Sequence, residues 1–269
     1  MLHKIILTTY IVLHVACGEE NIKPNIVLVV IDDWGWADVP WQDESIPAPN
    51  IKKLAEDGLI LNQSYVQQVC TPSRAALLTG MYPFHLGRQH RALKPLRPGG
   101  IPTSFKLLPE LLKEQGYSTH MIGKWHLGYC AWEYTPTRRG FDSFYGTYLG
   151  VLDHWTHTRD KYHGYDFRRN EELLFNASGQ YSTDLYTKET LSLIQEKRNS
   201  TKPFFLYLPY QALHAPLQVP EKHLQKVDSN VKDPQRRSYL GMLSAVDDSI
   251  GLIVNELKTQ GKVITSVLF

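Results

Sequence analysis

Cysteine is scarce in this 269-residue sequence, with three in all, which excludes a small scaffold held together by disulfides. None is needed, because a chain of this size removes roughly 75% of its unfolded surface from water on folding. Net charge is also nearly missing: 29 Lys and Arg balance 27 Asp and Glu, leaving +2, which argues against nucleic acid as the main partner. Past the N-terminus no run reaches the roughly 18 apolar residues of a membrane helix. There is no internal repeat, low-complexity tract or linker, so a single layered domain is the simplest organisation. One further absence is local. From Gly58 to Pro109, 52 residues hold no Asp or Glu, yet Arg74, Arg88, Arg91, Lys94, Arg97 and Lys106 lie there with His85 and His90. That stretch is expected to carry positive potential.

What is present is an ordinary globular balance, 42% hydrophobic and 21% charged. Lys4 followed by the mostly apolar Ile5 to Ala16 fits a signal peptide over residues 1–17, with cleavage near Ala16 to Gly18. A buried N-terminal strand fits less well, because Thr8, Thr9, Tyr10 and His14 neither alternate nor form a helical face; a lipoprotein signal ending at Cys17 is the lesser option. Secretory entry leaves Cys70 and Cys130 in an oxidising compartment, where two cysteines normally suggest one disulfide. Asn62, Asn176 and Asn199 stand in Asn-x-Ser/Thr glycosylation triplets that agree with this route.

Ile26 to Ile31, six consecutive aliphatic residues, predict a strand buried on both faces that ends in Asp32 and Asp33. A second run, Thr119 to Ile122, stops at Gly123 and is followed by Lys124, Trp125 and His126. A third, Phe204 to Leu208, is followed by Pro209, then His214 and Pro216. In open α/β sheets ligands bind beyond the carboxyl ends of the strands. Taken singly, an Asp-Asp pair is more often an acidic turn, Lys124 a solvated charge and His214 a satisfied structural histidine. Three buried strands each delivering ionisable groups past that end form a constellation that favours a site. The oxygen-only pair of Asp32 and Asp33 suits a hard cation such as calcium or magnesium.

Helices are predicted from a cap at Asn50 to Gly58, from Pro109 to Gln115, from Thr183 to Lys197 and from Arg236 to Gln260. The last places Leu240, Leu243, Val246, Ile250, Ile253, Val254 and Leu257 on one face. Cys70-Thr71-Pro72-Ser73-Arg74, running on through Ala75 to Gly80, reads as a further helix start with Pro72 at the first position and Gly80 as the stop. Cys70 would then face unpaired N–H groups at the positive end of a helix, a place for an anion or a reactive thiol, against the plainer reading of a buried cysteine.

Cys70-x-Pro72-Ser73-Arg74 followed by Leu77-Leu78-Thr79-Gly80 resembles the first sulfatase signature, and Gly123-Lys124-Trp125-His126-Leu127-Gly128 resembles the second. Pro136-Thr137-Arg138-Arg139-Gly140-Phe141-Asp142 and Leu213-His214-Ala215-Pro216-Leu217-Gln218-Val219-Pro220 are similar to the arylsulfatase B, I and J group. The resemblance covers residues 24–261, with 262–269 a divergent tail. It implies an α/β, alkaline-phosphatase-like sandwich with a mainly parallel central sheet between helices, and a hydrolase of sulfate esters. In the family the motif cysteine, here Cys70, is oxidised in the endoplasmic reticulum by a formylglycine-generating enzyme to formylglycine, whose hydrated aldehyde attacks sulfur. The resemblance implies a calcium ion held by Asp32, Asp33 and the converted Cys70. Arg74 would orient the hydrated aldehyde and Lys124 would bind sulfate oxygens. His126 would take a proton as the sulfated intermediate collapses, and His214 would protonate the leaving oxygen. Cys70 would then be no disulfide partner, and Cys130 a free thiol. The implied substrates are aryl sulfates or sulfated carbohydrates such as N-acetylgalactosamine 4-sulfate in glycosaminoglycans, and the implied destination is the lysosome or the extracellular space.

Family members follow the long helix with a strand ending in Asp-Asn-Gly, another active-site lysine and a smaller C-terminal domain. Here Gly261 is followed by Lys262 and a strand-like run, Val263 to Phe269, without a carboxylate. The fold is therefore expected to be incomplete at its C-terminus, with little or no activity from this chain alone. Two rivals remain. A phosphatase or phosphodiesterase of the same superfamily would carry Ser or Thr as nucleophile and usually zinc, which Cys70 opposes. A non-catalytic remnant would hold sulfated glycans through Arg88 to Arg97.

Overall fold

The computed structural model describes residues 23–159 and 163–261 and the backbone of 264–268; the signal-peptide reading of residues 1–17 lies outside them. In chain order the strands are β1 (Asn25–Ile31), β2 (Ser118–Lys124), β3 (Ser143–Thr147), the two-residue strands β4 (Thr158–Arg159), β5 (Gly164–Tyr165), β6 (Arg168–Arg169) and β7 (Glu172–Leu173), then β8 (Phe204–Tyr210) and β9 (Ile264–Leu268). The α-helices are α1 (Pro49–Glu56), α2 (Cys70–Thr79), α3 (Leu108–Glu114), α4 (Ser182–Glu196), α5 (Glu221–Leu224) and α6 (Pro234–Thr259). Among the described residues one sheet has the order β7-β6-β3-β2-β8-β1-β9. Every pairing from β3 across to β9 is parallel, and β6 and β7 are antiparallel additions at the other edge.

The period of two along a strand explains why β1 and β8, covered on both faces, are apolar along almost their whole length. Val27, Val29 and Ile31 of β1 join Leu206, Leu208 and Tyr210 of β8 in one core, with Ile51 of α1, Tyr186 and Ile194 of α4, and Leu243, Val246 and Ile250 of α6. Leu28 of β1 and Phe205 and Tyr207 of β8 point to the opposite face and meet Ala75 and Leu78 of α2. Each fully buried Leu, Ile or Val contributes about 1.5–3 kcal/mol, so covering both faces makes the sheet the rigid frame of the site. The expected sandwich with a mainly parallel sheet between helices is the fold observed.

Several boundaries differ from the sequence expectation, among them that of β8, which runs past Leu208 to Tyr210. β2 runs past Ile122 to Lys124 because Gly123 and Lys124 still pair with Gly146 and Thr147 of β3. α2 begins at Cys70 itself, so Pro72 is its third residue and not its first; Gly80, left-handed at φ 67°, ends it as expected. α6 starts at Pro234, where Asp233 caps it by accepting from the Arg236 N–H at 2.6 Å. Asn50 caps nothing. It is the second residue of α1, and its side-chain amide donates to Asp247 Oδ2 at 2.8 Å, tying α1 to α6. The strand expected over Val263 to Phe269 is seen as β9, alongside β1. No helix among the described residues is long and apolar enough to cross a membrane.

Candidate active site

Because β1, β8 and β2 are parallel neighbours, their carboxyl ends open on one edge of the sheet. Asp32 follows β1 directly and Lys124 ends β2; both are buried, as is Arg74 from the second turn of α2. Lys124 Nζ and Asp32 Oδ2 form a close ion pair. Arg74 Nη2 approaches Asp32 Oδ1 at 3.5 Å, while its Nη1 donates to the main-chain oxygen of Lys124 at 2.5 Å. Burial alone would raise the Asp32 carboxyl, but the charges of Lys124 and Arg74 outweigh it and bring its pKa down to about 2. Two buried cations thus share one buried anion, and Arg74 Nη2 has no hydrogen-bond partner. A cluster with a spare positive charge and an unpaired donor is built to accept an anion.

Cys70 stands at the start of α2, with its Sγ 3.1 Å from His126 Nδ1. The other ring nitrogen of His126 lies 2.8 Å from the Leu93 carbonyl, which can only accept, so Nε2 carries the proton and Nδ1 presents its lone pair to position 70. Burial, then the charge of Lys124, lowers the pKa of this imidazole to about 3, keeping it neutral near pH 7. Thr71 Oγ1 donates to the main-chain oxygen of His126 at 3.0 Å, locking α2 to the turn after β2. The His126 ring packs against Gly150, where a Cβ would overlap the imidazole. Nothing in the sequence pattern singles out Gly150.

Asp33 and His214 form a second pair, His214 Nε2 lying 3.7 Å from Asp33 Oδ2, while His214 Nδ1 donates to the Ala215 carbonyl at 2.7 Å. The loop carrying His214 is stitched to the end of β1: the Asp32 N–H donates to Ala212 O at 2.9 Å and the Leu213 N–H to Asp32 O at 2.6 Å. From the other side His154, fully buried, donates through Nε2 to the His214 main-chain oxygen at 3.0 Å and accepts at Nδ1 from Ser182 Oγ at 3.0 Å. His154 also escapes sequence reasoning, since its partners lie 28 and 60 residues away.

The structure therefore brings Asp32, Cys70, Arg74, Lys124 and His126 together and sets Asp33 with His214 beside them. Asp32 and Asp33 offer the carboxylates a hard cation would need; among the described residues no group of three or more His, Cys, Asp or Glu forms a metal-holding cluster. The disulfide suggested by the cysteine count is not made. Both cysteines are free, because Cys70 faces His126 while Cys130 Sγ accepts from the Gly99 N–H at 3.1 Å. In the basic stretch from Arg88 to Arg97, Arg88 donates from its Nε and Nη2 to Gly100 O at 3.2 and 2.6 Å. Asn62, Asn176 and Asn199 are all exposed.

Residues 24–269 match the family model described as Sulfatase. Arylsulfatase J of Mus musculus is 40% identical over 243 residues, covering 89% of this chain and 40% of that protein. N-acetylgalactosamine-6-sulfatase of Mus musculus is 36% identical over 263 residues, covering 91% of this chain and 49% of that protein. A crystal structure of Ps i-CgsB in complex with k-i-k-neocarrahexaose superposes with a TM-score of 0.85 at 33% identity, over 91% of this chain and 58% of that one. The chain thus spans about half the length or less of the curated relatives. A family match over all but the first residues, together with that agreement in fold, places this chain in the sulfatase family.

Proposed function

We propose that this chain is the nucleophile-bearing part of a sulfuric ester hydrolase that acts on sulfated sugars, sulfated N-acetylgalactosamine units of glycosaminoglycans foremost, with the 4-sulfate the favoured position. The observation that carries the reading is the setting of Cys70: first residue of a helix, 3.1 Å from a neutral histidine nitrogen that carries no proton. The sugar substrate is supported by the names of a related N-acetylgalactosamine-6-sulfatase and of a similar structure holding a neocarrahexaose. The secretory route is supported by the N-terminal sequence and the three exposed glycosylation triplets.

The site carries donors toward both groups this chemistry uses, though only two carboxylates toward the cation. Position 70 offers a side chain at a helix N-terminus with a proton acceptor facing it, and Asp32 and Asp33 offer carboxylate oxygens for calcium. Formylglycine at position 70 would supply an oxygen nucleophile for sulfur, and a calcium ion held by Asp32 and Asp33 would lower the pKa of that oxygen and offset sulfate charge. The remaining work falls to this chain's own side chains. Arg74 and Lys124 would hold positive charge beside the sulfate oxygens, and their burial makes that charge worth more than it would be in water. His126 Nδ1 is placed to receive the proton from the group at position 70. His214, beside Asp33 and braced by His154, is placed to give a proton to the departing sugar oxygen.

Mass analysis of the Cys70 peptide from secreted protein tests the reading: the thiol sulfur should be replaced by an aldehyde oxygen. The full-length protein should hydrolyse an aryl sulfate, and Cys70→Ser should abolish turnover. Retention of sulfate-ester turnover by Cys70→Ser, or a preference for phosphate esters, would sink it and favour a phosphatase.

A further inference from the structure

We propose that the segment from Arg91 to Lys94 is an anion-reading rim of this site, in which Arg91 and Lys94 bind sulfate or carboxylate groups on the sugar residues flanking the one that is hydrolysed. The inference rests on the sulfate-ester reading for the chemistry of its ligand, a sulfated polysaccharide, and goes beyond it in naming the residues that select a polyanionic chain.

Leu93, between the two cations, is fixed to the reacting centre at both of its main-chain groups. Its N–H donates to Thr71 Oγ1 at 3.0 Å, next to Cys70, and its carbonyl accepts from His126 Nε2 at 2.8 Å. Arg91 and Lys94 therefore sit within two residues of an anchor that touches both the nucleophile-bearing helix and the proton acceptor, about 7 Å of chain at most. The segment is held on either side as well. Arg88 donates twice to Gly100 O, and the Leu96 N–H donates to the Tyr129 hydroxyl at 2.9 Å. Such a loop presents its side chains with little further ordering cost.

Arg91 and Lys94 are not buried, and no ion pair joins either to a carboxylate among the described residues. Some surface lysines, Lys52, Lys113 and Lys226 among them, are tied to a carboxylate partner, whereas Arg91 and Lys94, like the exposed Lys188 and Lys232, form no such pair among the described residues. The 52-residue stretch without Asp or Glu keeps local acids from competing for these two cations. Unpaired cations on a rigid loop, tied to a buried site with a spare positive charge, match a ligand that carries repeated negative charge and not a single one.

The test is equilibrium binding of a chondroitin sulfate oligosaccharide to this chain, with Arg91→Gln/Lys94→Gln compared against Lys188→Gln/Lys232→Gln, which removes the same charge from exposed positions elsewhere. The rim variant should bind about tenfold more weakly, the combined size of two exposed charge contacts, and with a shallower salt dependence. The charge-keeping Arg91→Lys/Lys94→Arg variant should retain most of the affinity. Equal weakening by both Gln pairs, no weakening by the rim pair, or no binding by the unaltered chain would each overturn the proposal. If the rim pair weakens binding while the full-length protein turns over no sulfate ester, the rim stands as a glycan-binding surface and the hydrolase reading falls.

Discussion

Substituting Asp32 by Asn removes the negative charge shared by two buried cations, and the consequence for stability can be worked through. Lys124 is fully buried and Arg74 is 2% exposed, so neither regains water when its partner is neutralised. Breaking a buried pair by removing one partner costs about 3–5 kcal/mol, a large part of the roughly 5–15 kcal/mol that holds a domain together. Lys124→Met should cost less, about 2 kcal/mol, because Asp32 keeps Arg74 at 3.5 Å. The double variant leaves Arg74 still donating to the main chain at position 124, with no facing lysine. It should therefore be more stable than the sum of the single effects by at least about 1 kcal/mol. Urea unfolding followed by tryptophan fluorescence, in sulfate-free buffer with chelator throughout, reads all four proteins; six tryptophans supply the signal. An Asp32→Asn cost under about 1 kcal/mol, or strict additivity, would refute the picture of a cation-rich buried cluster.

Three other outcomes are expected. Leu206→Ala, at a fully buried residue of β8, should cost about 2–5 kcal/mol in the same unfolding assay, and a loss below about 1 kcal/mol would mean that face is not packed as described. Burial first of all lowers His120, His154 and His157 to a pKa of about 4 from the ordinary 6.5. The unfolded chain then takes up protons first, so these three histidines make stability fall as pH drops from 6.5 toward 4; a flat acid limb over that range in a thermal melt series would contradict this. Calcium should bind this chain weakly, with a dissociation constant of about 10⁻⁴ M or more by calorimetry, because two carboxylates are a small share of its usual six to eight oxygens and Asp32 is already engaged by two cations. Sub-micromolar affinity would show that further oxygen ligands are in place.

The parts of the fold and site carried by short stretches of chain are legible in the sequence itself. The aliphatic run ending in Asp32, the run ending near Lys124 and the helix opening at Cys70 each combine a local apolar pattern with a polar residue at its end. What escapes depends on partners far along the chain. Asn50 looks like a cap because its preference for that role is local, but its actual partner, Asp247, is 197 residues away. The same holds for Gly150 under the His126 ring and for His154 behind His214. The end of β2 lies beyond its apolar run because Gly123 is a poor strand residue on its own, and only the pairing with Gly146 keeps it in the sheet. Arg88 counts in the sequence only as one charge of a basic stretch, whereas its guanidinium donates to the Gly100 carbonyl, 12 residues on.

Asp32 and the loop after β8 go on exchanging main-chain hydrogen bonds past the last residues of their strands. Ligand-binding loops ordinarily open on their own, at a small fraction of the free energy of global unfolding. Here the Asp32 and Leu213 amides extend the β1–β8 ladder, between two inner strands of the sheet. Their hydrogen exchange should be as slow as that of Val29 or Leu208, and the segment that delivers His214 should behave in time as part of the core and not as a loop.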